Sequence, residues 1–112
     1  MSIDFSNIRE FTEGDPEIEI ELFEEFISSS APLLKNLEDS VSNDQDLWKK
    51  SAHAFKGISL NLGAEALGSL CMQAQNFDGE DGAKKELFEQ IENEYRQVLS
   101  DLKKEIERIK AI

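Results

Sequence analysis

Apolar side chains recur along this chain in steps of three and four, the spacing of helices that bury one face. Ile3, Phe5, Ile8 and Phe11 predict a short opening helical segment over about 4–12, with Asp4 or Ser6 as its cap. Gly14-Asp15-Pro16 interrupts the pattern; Asp15 fits an N-cap and Pro16 a first helical position. A second helix is expected over about 16–41, with Ile20, Phe23, Ile27, Leu34 and Leu37 on its inner stripe. Pro32 lies inside this stretch and should kink it or loosen one turn. Ser42-Asn43-Asp44 reads as a turn, and a third helix follows over about 44–62, stopped by Gly63. A fourth is expected over about 64–77, then an acidic loop from Asp78 to Gly82. The last, about 83–109, carries Leu87, Ile91, Tyr95, Val98, Leu102, Ile106 and Ile109, the seam of a bundle. No strand-like alternation or internal repeat competes. The expectation is all-α: an antiparallel, up-and-down four-helix bundle with a short N-terminal helical segment, in one unit spanning 1–112.

Length and composition agree with one core. The chain has 112 residues, near the common size of a domain, and seven Phe and one Trp supply its large side chains. Its net charge of −12 repels the phosphates of nucleic acid and of an anionic membrane, so neither is expected as a partner. Cys71 is the single cysteine, which excludes an internal disulfide and fits a reducing compartment. No apolar run is long enough to span a membrane, and Met1-Ser2-Ile3-Asp4 lacks the start of a signal peptide. A cytoplasmic monomer is therefore expected, its bundle closing on itself.

Candidate chemistry lies on the third helix, from Ser51 to Ala64. Trp48, Ala52, Phe55, Ser59 and Leu62 share one stripe, the core face. His53 falls roughly 120–160° from that stripe and should point to solvent. One turn before it stand Lys49 and Lys50; one turn after it stand Lys56 and Gly57. Three of the chain's twelve basic residues thus surround its one histidine in an acidic protein, which makes a local anion site. Gly57 is costly inside a helix, about 1 kcal/mol against Ala, and leaves a gap through which another protein can approach. A neutral imidazole is a good nitrogen nucleophile, and a free one is mostly neutral at cell pH. Phosphoryl transfer asks little of a protein beyond position and charge balance. Lys56 is placed to neutralise the transferring oxygens, with Lys49 and Lys50 helping less directly. No metal-ligand set or glycine-rich loop accompanies the histidine. No cofactor or metal is expected in this chain, and a partner would supply the metal ion and the remaining catalytic groups. His53 lies ten residues before Gly63 and Gln75 twelve after it. With equal rise on antiparallel helices, about 1.5 Å per residue, the Gln75 amide should reach the imidazole, hold one ring nitrogen and leave Nε2 to attack.

His53-Ala54-Phe55-Lys56-Gly57, followed by Asn61-Leu62-Gly63-Ala64, resembles the motif of histidine-containing phosphotransfer (HPt) domains. Gly14-Asp15-Pro16, the stretch from Phe23 to Ala31 and the long last helix are also similar to HPt sequences, so the likeness covers nearly the whole chain. The resemblance implies a four-helix bundle with short N-terminal extras and a phosphorylated histidine at His53. It also implies docking of response-regulator receiver domains around that histidine, with a sensor or hybrid histidine kinase as a further expected partner. Lys56 and Gly57 match the motif's Lys-Gly, and Gln75 falls where HPt sequences carry a polar residue facing the histidine. Leu60, one turn further on, and Lys49, Lys50 and Gly57 are expected partner contacts. The residue after Lys-Gly is usually small; here it is Ile58, which should project toward the flank of the helix.

Plainer readings stand beside these. A lone surface histidine is ordinarily just solvated, and lysines near acids ordinarily balance a surface. Gly68 fits a close helix-packing point and Cys71 a small buried filler. Glu17, Glu19, Glu21, Glu24 and Glu25 fit a solvated face. The expected function is a phosphorelay intermediate that takes a phosphoryl group from an aspartyl-phosphate receiver domain and gives it to another. The alternative is a helical adaptor that docks kinase or receiver domains without carrying phosphate. The substrate domain of a chemotaxis-type kinase is disfavoured, since dimerisation and ATP-binding regions should follow it. A mere adaptor needs neither His53 nor its lysine-glycine setting.

Overall fold

The computed structural model describes residues 2–111; Met1 and Ile112, the outermost residues of the expected unit, lie outside them. Five helices follow one another: α1 (Ser6–Thr12), α2 (Pro16–Ser40), α3 (Gln45–Leu62), α4 (Glu65–Gln75) and α5 (Asp81–Lys110). The caps explain most of the boundaries. Asp15 accepts from the backbone N–H of Glu17 at 3.0 Å with Pro16 behind it, and Asp44 accepts from that of Leu47 at 3.0 Å. Gly63 ends α3 in the left-handed region at φ +95°. Asp4 accepts from both the backbone and the hydroxyl of Ser6, starting α1 two residues later than expected. The α-helix continues through Pro32, whose missing N–H leaves the Ser28 carbonyl without its usual donor.

Helices α2, α3, α4 and α5 pack in a closed ring, each against the next and α5 back against α2. Neighbours are antiparallel. Trp48, early in α3, donates its indole N–H to the carbonyl of Ala74, late in α4, at 2.8 Å. Ser30 of α2 shares a 2.8 Å hydrogen bond with the Tyr95 hydroxyl of α5, and the Glu19 carboxylate near the start of α2 acts on Arg108 near the end of α5. Tyr95 is the core's hub, edge-on to Phe55 at 5.5 Å and tilted against Phe26 at 6.4 Å. Trp48, Ala52, Phe55, Ser59 and Leu62 are all buried, as is the α5 seam apart from half-buried Ile106. Cys71 is fully buried, and loss of water pushes its thiol up to about 12.

The N-terminal segment is a strap. The Asp4 N–H donates to the Gly63 carbonyl at 2.9 Å, the Ser2 N–H donates to Asp101 at 2.7 Å, and Ile3 and Phe5 are buried. A Cβ on Gly63 would fall on the Asp4 carbonyl oxygen, so glycine is required here both for φ and for space.

Further expectations change, among them the acidic loop, whose Asp81 and Gly82 already belong to α5. Glu19 is not solvated: it is 4% exposed and accepts from the Thr12 hydroxyl at 3.1 Å. It belongs to a clasp of α1, α2 and α5 in which Arg9 and Arg108 both meet Glu105. Phe11 is 77% exposed, because α1 turns Ile8 and Thr12 inward and leaves Phe11 outside. Helix α4 stops at Gln75, two residues short of the expected end, with no side-chain cap at its start.

Candidate functional site

His53 stands exposed at the middle of α3, opposite the stripe led by Trp48, Phe55 and Leu62 that pins the helix to the core. Its exposure follows from the rotation of one rigid helix, whose inward stripe is filled by large side chains and cannot turn outward without losing them. Lys49 and Lys50 are exposed, while Lys56 and Gly57 are half-buried. The three lysines differ in their partners. Lys50 pairs with Asp46 one turn earlier at 2.9 Å, and that carboxylate raises its pKa. Among the described residues, no carboxylate lies within 4.0 Å of Lys49 or Lys56.

A Cβ added to Gly57 meets nothing within 4 Å, so the helix beside His53 has an open notch. Gly68 behaves otherwise. A Cβ there would collide with the Leu60 side chain, which lies across α4 at that point while remaining 43% exposed. Met72, one turn beyond Gly68 on α4, is exposed as well. Ile58 is half-buried on the flank that faces α2, where it lines a groove together with Phe26 and Leu62.

Gln75 does not hold the imidazole in this conformation. It is the last residue of α4, and its Oε1 is turned inward, buried and without a hydrogen-bond partner. The reason lies in its neighbour: the Ala74 carbonyl is fixed on the Trp48 indole, which draws this end of α4 onto the core while His53 points to water. Sequence reasoning also missed the support beneath the site. Lys84, at the start of α5, is buried; it lies 5.1 Å over the Trp48 ring and hydrogen-bonds Gln45, which in turn donates to the Phe77 carbonyl at 3.0 Å. Only the place of Lys84 in line with Leu87 and Ile91 on the inner side of α5 hinted at it. Among the described residues, no group of three or more His, Cys, Asp or Glu could hold a metal, and no helix is long and apolar enough to cross a membrane.

A closed antiparallel ring of helices with an exposed, lysine-flanked histidine on one rod defines a class. The Hpt domain family matches residues 21–111, and the chain belongs to that family of histidine phosphotransfer intermediates in two-component signalling. It is similar to histidine-containing phosphotransfer protein B (HptB) from Pseudomonas aeruginosa PAO1. The TM-score is 0.81 at 25% sequence identity, over 96% of this chain and 96% of that one. No curated protein sequence matches the chain. Members of the family are phosphocarriers rather than catalysts, and their partners are drawn from receiver domains and histidine kinases.

Proposed function

We propose that His53 is the phosphoryl acceptor, taking the group from an aspartyl-phosphate of a receiver domain and passing it to a second receiver. The observation that carries this reading is the open notch at Gly57 beside the exposed imidazole. An acyl phosphate buried in a partner's pocket can meet the ring only if the partner's loops come to the helix surface, and the notch leaves them room. In the forward step the Nε2 lone pair attacks phosphorus, the N–P bond forms, and the P–O bond to the aspartyl carboxylate breaks. The carboxylate leaves with the electron pair, and Nδ1 keeps its proton. The return step runs through the same geometry in reverse.

Lys56 is the charge partner of the transferring oxygens, because no carboxylate among the described residues lies within 4.0 Å of it. Lys49 strengthens the same field from the exposed side; Lys50 contributes less, being held by Asp46. Gly57 and Leu60 are partner contacts. Gln75 is a positioning residue: rotation of its side chain toward the ring would give its orphaned Oε1 the Nδ1–H as a donor. The partner domain supplies the metal ion and the remaining catalytic groups, and a reducing cytoplasm is the setting. The chain acts as a monomer.

Incubation with a phosphorylated receiver domain tests the reading. The expected product is a phosphoryl label on this chain that is labile in acid and stable in base. His53→Gln should abolish it with the helical circular dichroism intact; equal labelling of the variant would overturn the assignment.

A further inference from the structure

Lys84 is 5% exposed, and among the described residues no carboxylate lies within 4.0 Å of it. Its place in the first turn of α5 makes this costly twice over. A buried ammonium loses its water, and the N-terminal end of a helix repels a cation. Neither α5 nor an ion pair accounts for a lysine here.

Its surroundings do. The ammonium lies 5.1 Å over the Trp48 ring, and the Trp48 indole N–H donates to the Ala74 carbonyl at 2.8 Å. The ammonium also donates to the side-chain carbonyl of Gln45, whose amide donates in turn to the Phe77 carbonyl at 3.0 Å. One cation thus heads two donor chains, and both finish on backbone carbonyls at the end of α4. Those two carbonyls bracket Gln75 and Asn76. A helix C-terminus carries unpaired carbonyls and partial negative charge, and α4 has no basic residue of its own in its last turn. Lys84 supplies that charge from α5. A cation on the ring face draws electron density from the indole and makes its N–H the stronger donor; the Gln45 amide is polarised in the same sense.

We propose that Lys84 is a positioning residue for phosphoryl transfer, fixing the last turn of α4 so that the Gln75 side chain can turn onto Nδ1 of His53. The inference rests on the carrier reading above, and within it on Gln75. Gln75 Oε1 is buried without a partner, so it has an unmet demand for a donor. Which donor it reaches depends on its backbone, and that backbone is held on both sides, at Ala74 and at Phe77. With both carbonyls held, side-chain torsions alone bring the amide to the ring. With the last turn loose, the amide is spread over other orientations and the ring loses its holder. Lys84 acts through this end of α4 and not on the phosphate itself.

The test reads the ring and the transfer separately. His53 is the chain's one histidine, so nitrogen-15 spectra of the full chain report its tautomer directly. The neutral ring of the parent should hold more of the Nδ1–H form than that of Gln75→Ala. Lys84→Met, which keeps the stem and drops the charge, should fall to the Gln75→Ala value, and Lys84→Arg should restore the parent's. Transfer from a phosphorylated receiver should follow. Gln75→Ala and Lys84→Met should each slow the step at saturating receiver about fivefold and leave the half-saturating concentration within about twofold, and the double variant should be no slower than either. A lysine that served stability alone would lower the unfolding midpoint, leave the tautomer and the saturated rate of the folded protein alone, and add to the effect of Gln75→Ala; that result overturns the proposal. If Lys84→Met does not fold, Gln45→Ala, at an exposed residue of the same chain of donors, carries the comparison: a loss of about twofold supports the proposal and an unchanged rate and tautomer overturn it. A parent that takes no label sinks the carrier reading, while the tautomer comparison still decides whether Lys84 acts on His53 through Gln75.

Discussion

Two clusters of positive charge sit in different parts of this bundle, and they are built on opposite plans. At one end Arg9 and Arg108 converge on Glu105, which is 8% exposed, with Glu19 and Thr12 completing the clasp. On α3, Lys49 and Lys56 stand beside His53 with, among the described residues, no carboxylate within 4.0 Å, and the space over Gly57 is empty. The clasp spends its charges on itself and fastens three helices. The histidine face leaves its charges unspent, so they remain available to an incoming anion. In a protein of net charge −12, lysines without a carboxylate partner beside the one histidine are what supports the proposed site there.

The sharpest way to break the comparison is at the two centres. His53→Gln should remove all label transfer and shift the thermal midpoint by no more than a degree or so, since the side chain is exposed on α3. Gly63→Ala should do the reverse. It puts a Cβ on the Asp4 carbonyl in a left-handed residue, and should cost on the order of 3 kcal/mol in urea unfolding while label transfer persists below the transition. Glu105→Gln should cost about 0.5–1 kcal/mol at neutral pH by removing the carboxylate that Arg9 and Arg108 share, with transfer unchanged. Arg108 first, and Arg9 after it, hold the Glu105 carboxyl below its ordinary value of 4.5. Its contribution is therefore complete above that pH and is lost as pH falls through the lower folded value. The gap between Glu105→Gln and the parent should accordingly close in acid, which denaturant curves at descending pH would show.

On the histidine face, Lys56→Ala should slow transfer about tenfold and Lys50→Ala less than about twofold, because Asp46 already occupies Lys50. Equal effects would mean that the lysines act only as a diffuse field. The smallest change is Gly57→Ala. It should stabilise the helix by about 0.5–1 kcal/mol, since nothing blocks the new Cβ, and yet slow transfer by narrowing the notch. Faster transfer would remove the notch from the mechanism.

Much of this was readable in the sequence where local rules act alone. The Asp15-Pro16 cap, the Gly63 stop, the buried face of α3 and the outward turn of His53 follow from backbone chemistry and a period of 3.6. What escaped was set by contacts between distant segments. Burial of Glu19, Lys84 and Glu105 depends on partners in other helices, so each looks like an ordinary surface charge along the chain. Phe11 and Thr12 compete for the inner face of a helix only seven residues long, and the Thr12–Glu19 hydrogen bond decides it. Gln75 was placed by height alone, which takes no account of the Trp48–Ala74 hydrogen bond that holds its end of α4 or of the inward turn of its Oε1.

Cys71 carries a practical consequence. Its sulfur is sealed in the core, and the surrounding desolvation keeps it protonated at any physiological pH. A disulfide-type colorimetric reagent should therefore react only in molecules that have momentarily opened. Followed over time, that reaction makes the unmodified chain its own stopwatch for breathing of the α4 seam, with and without a phosphate on the neighbouring α3.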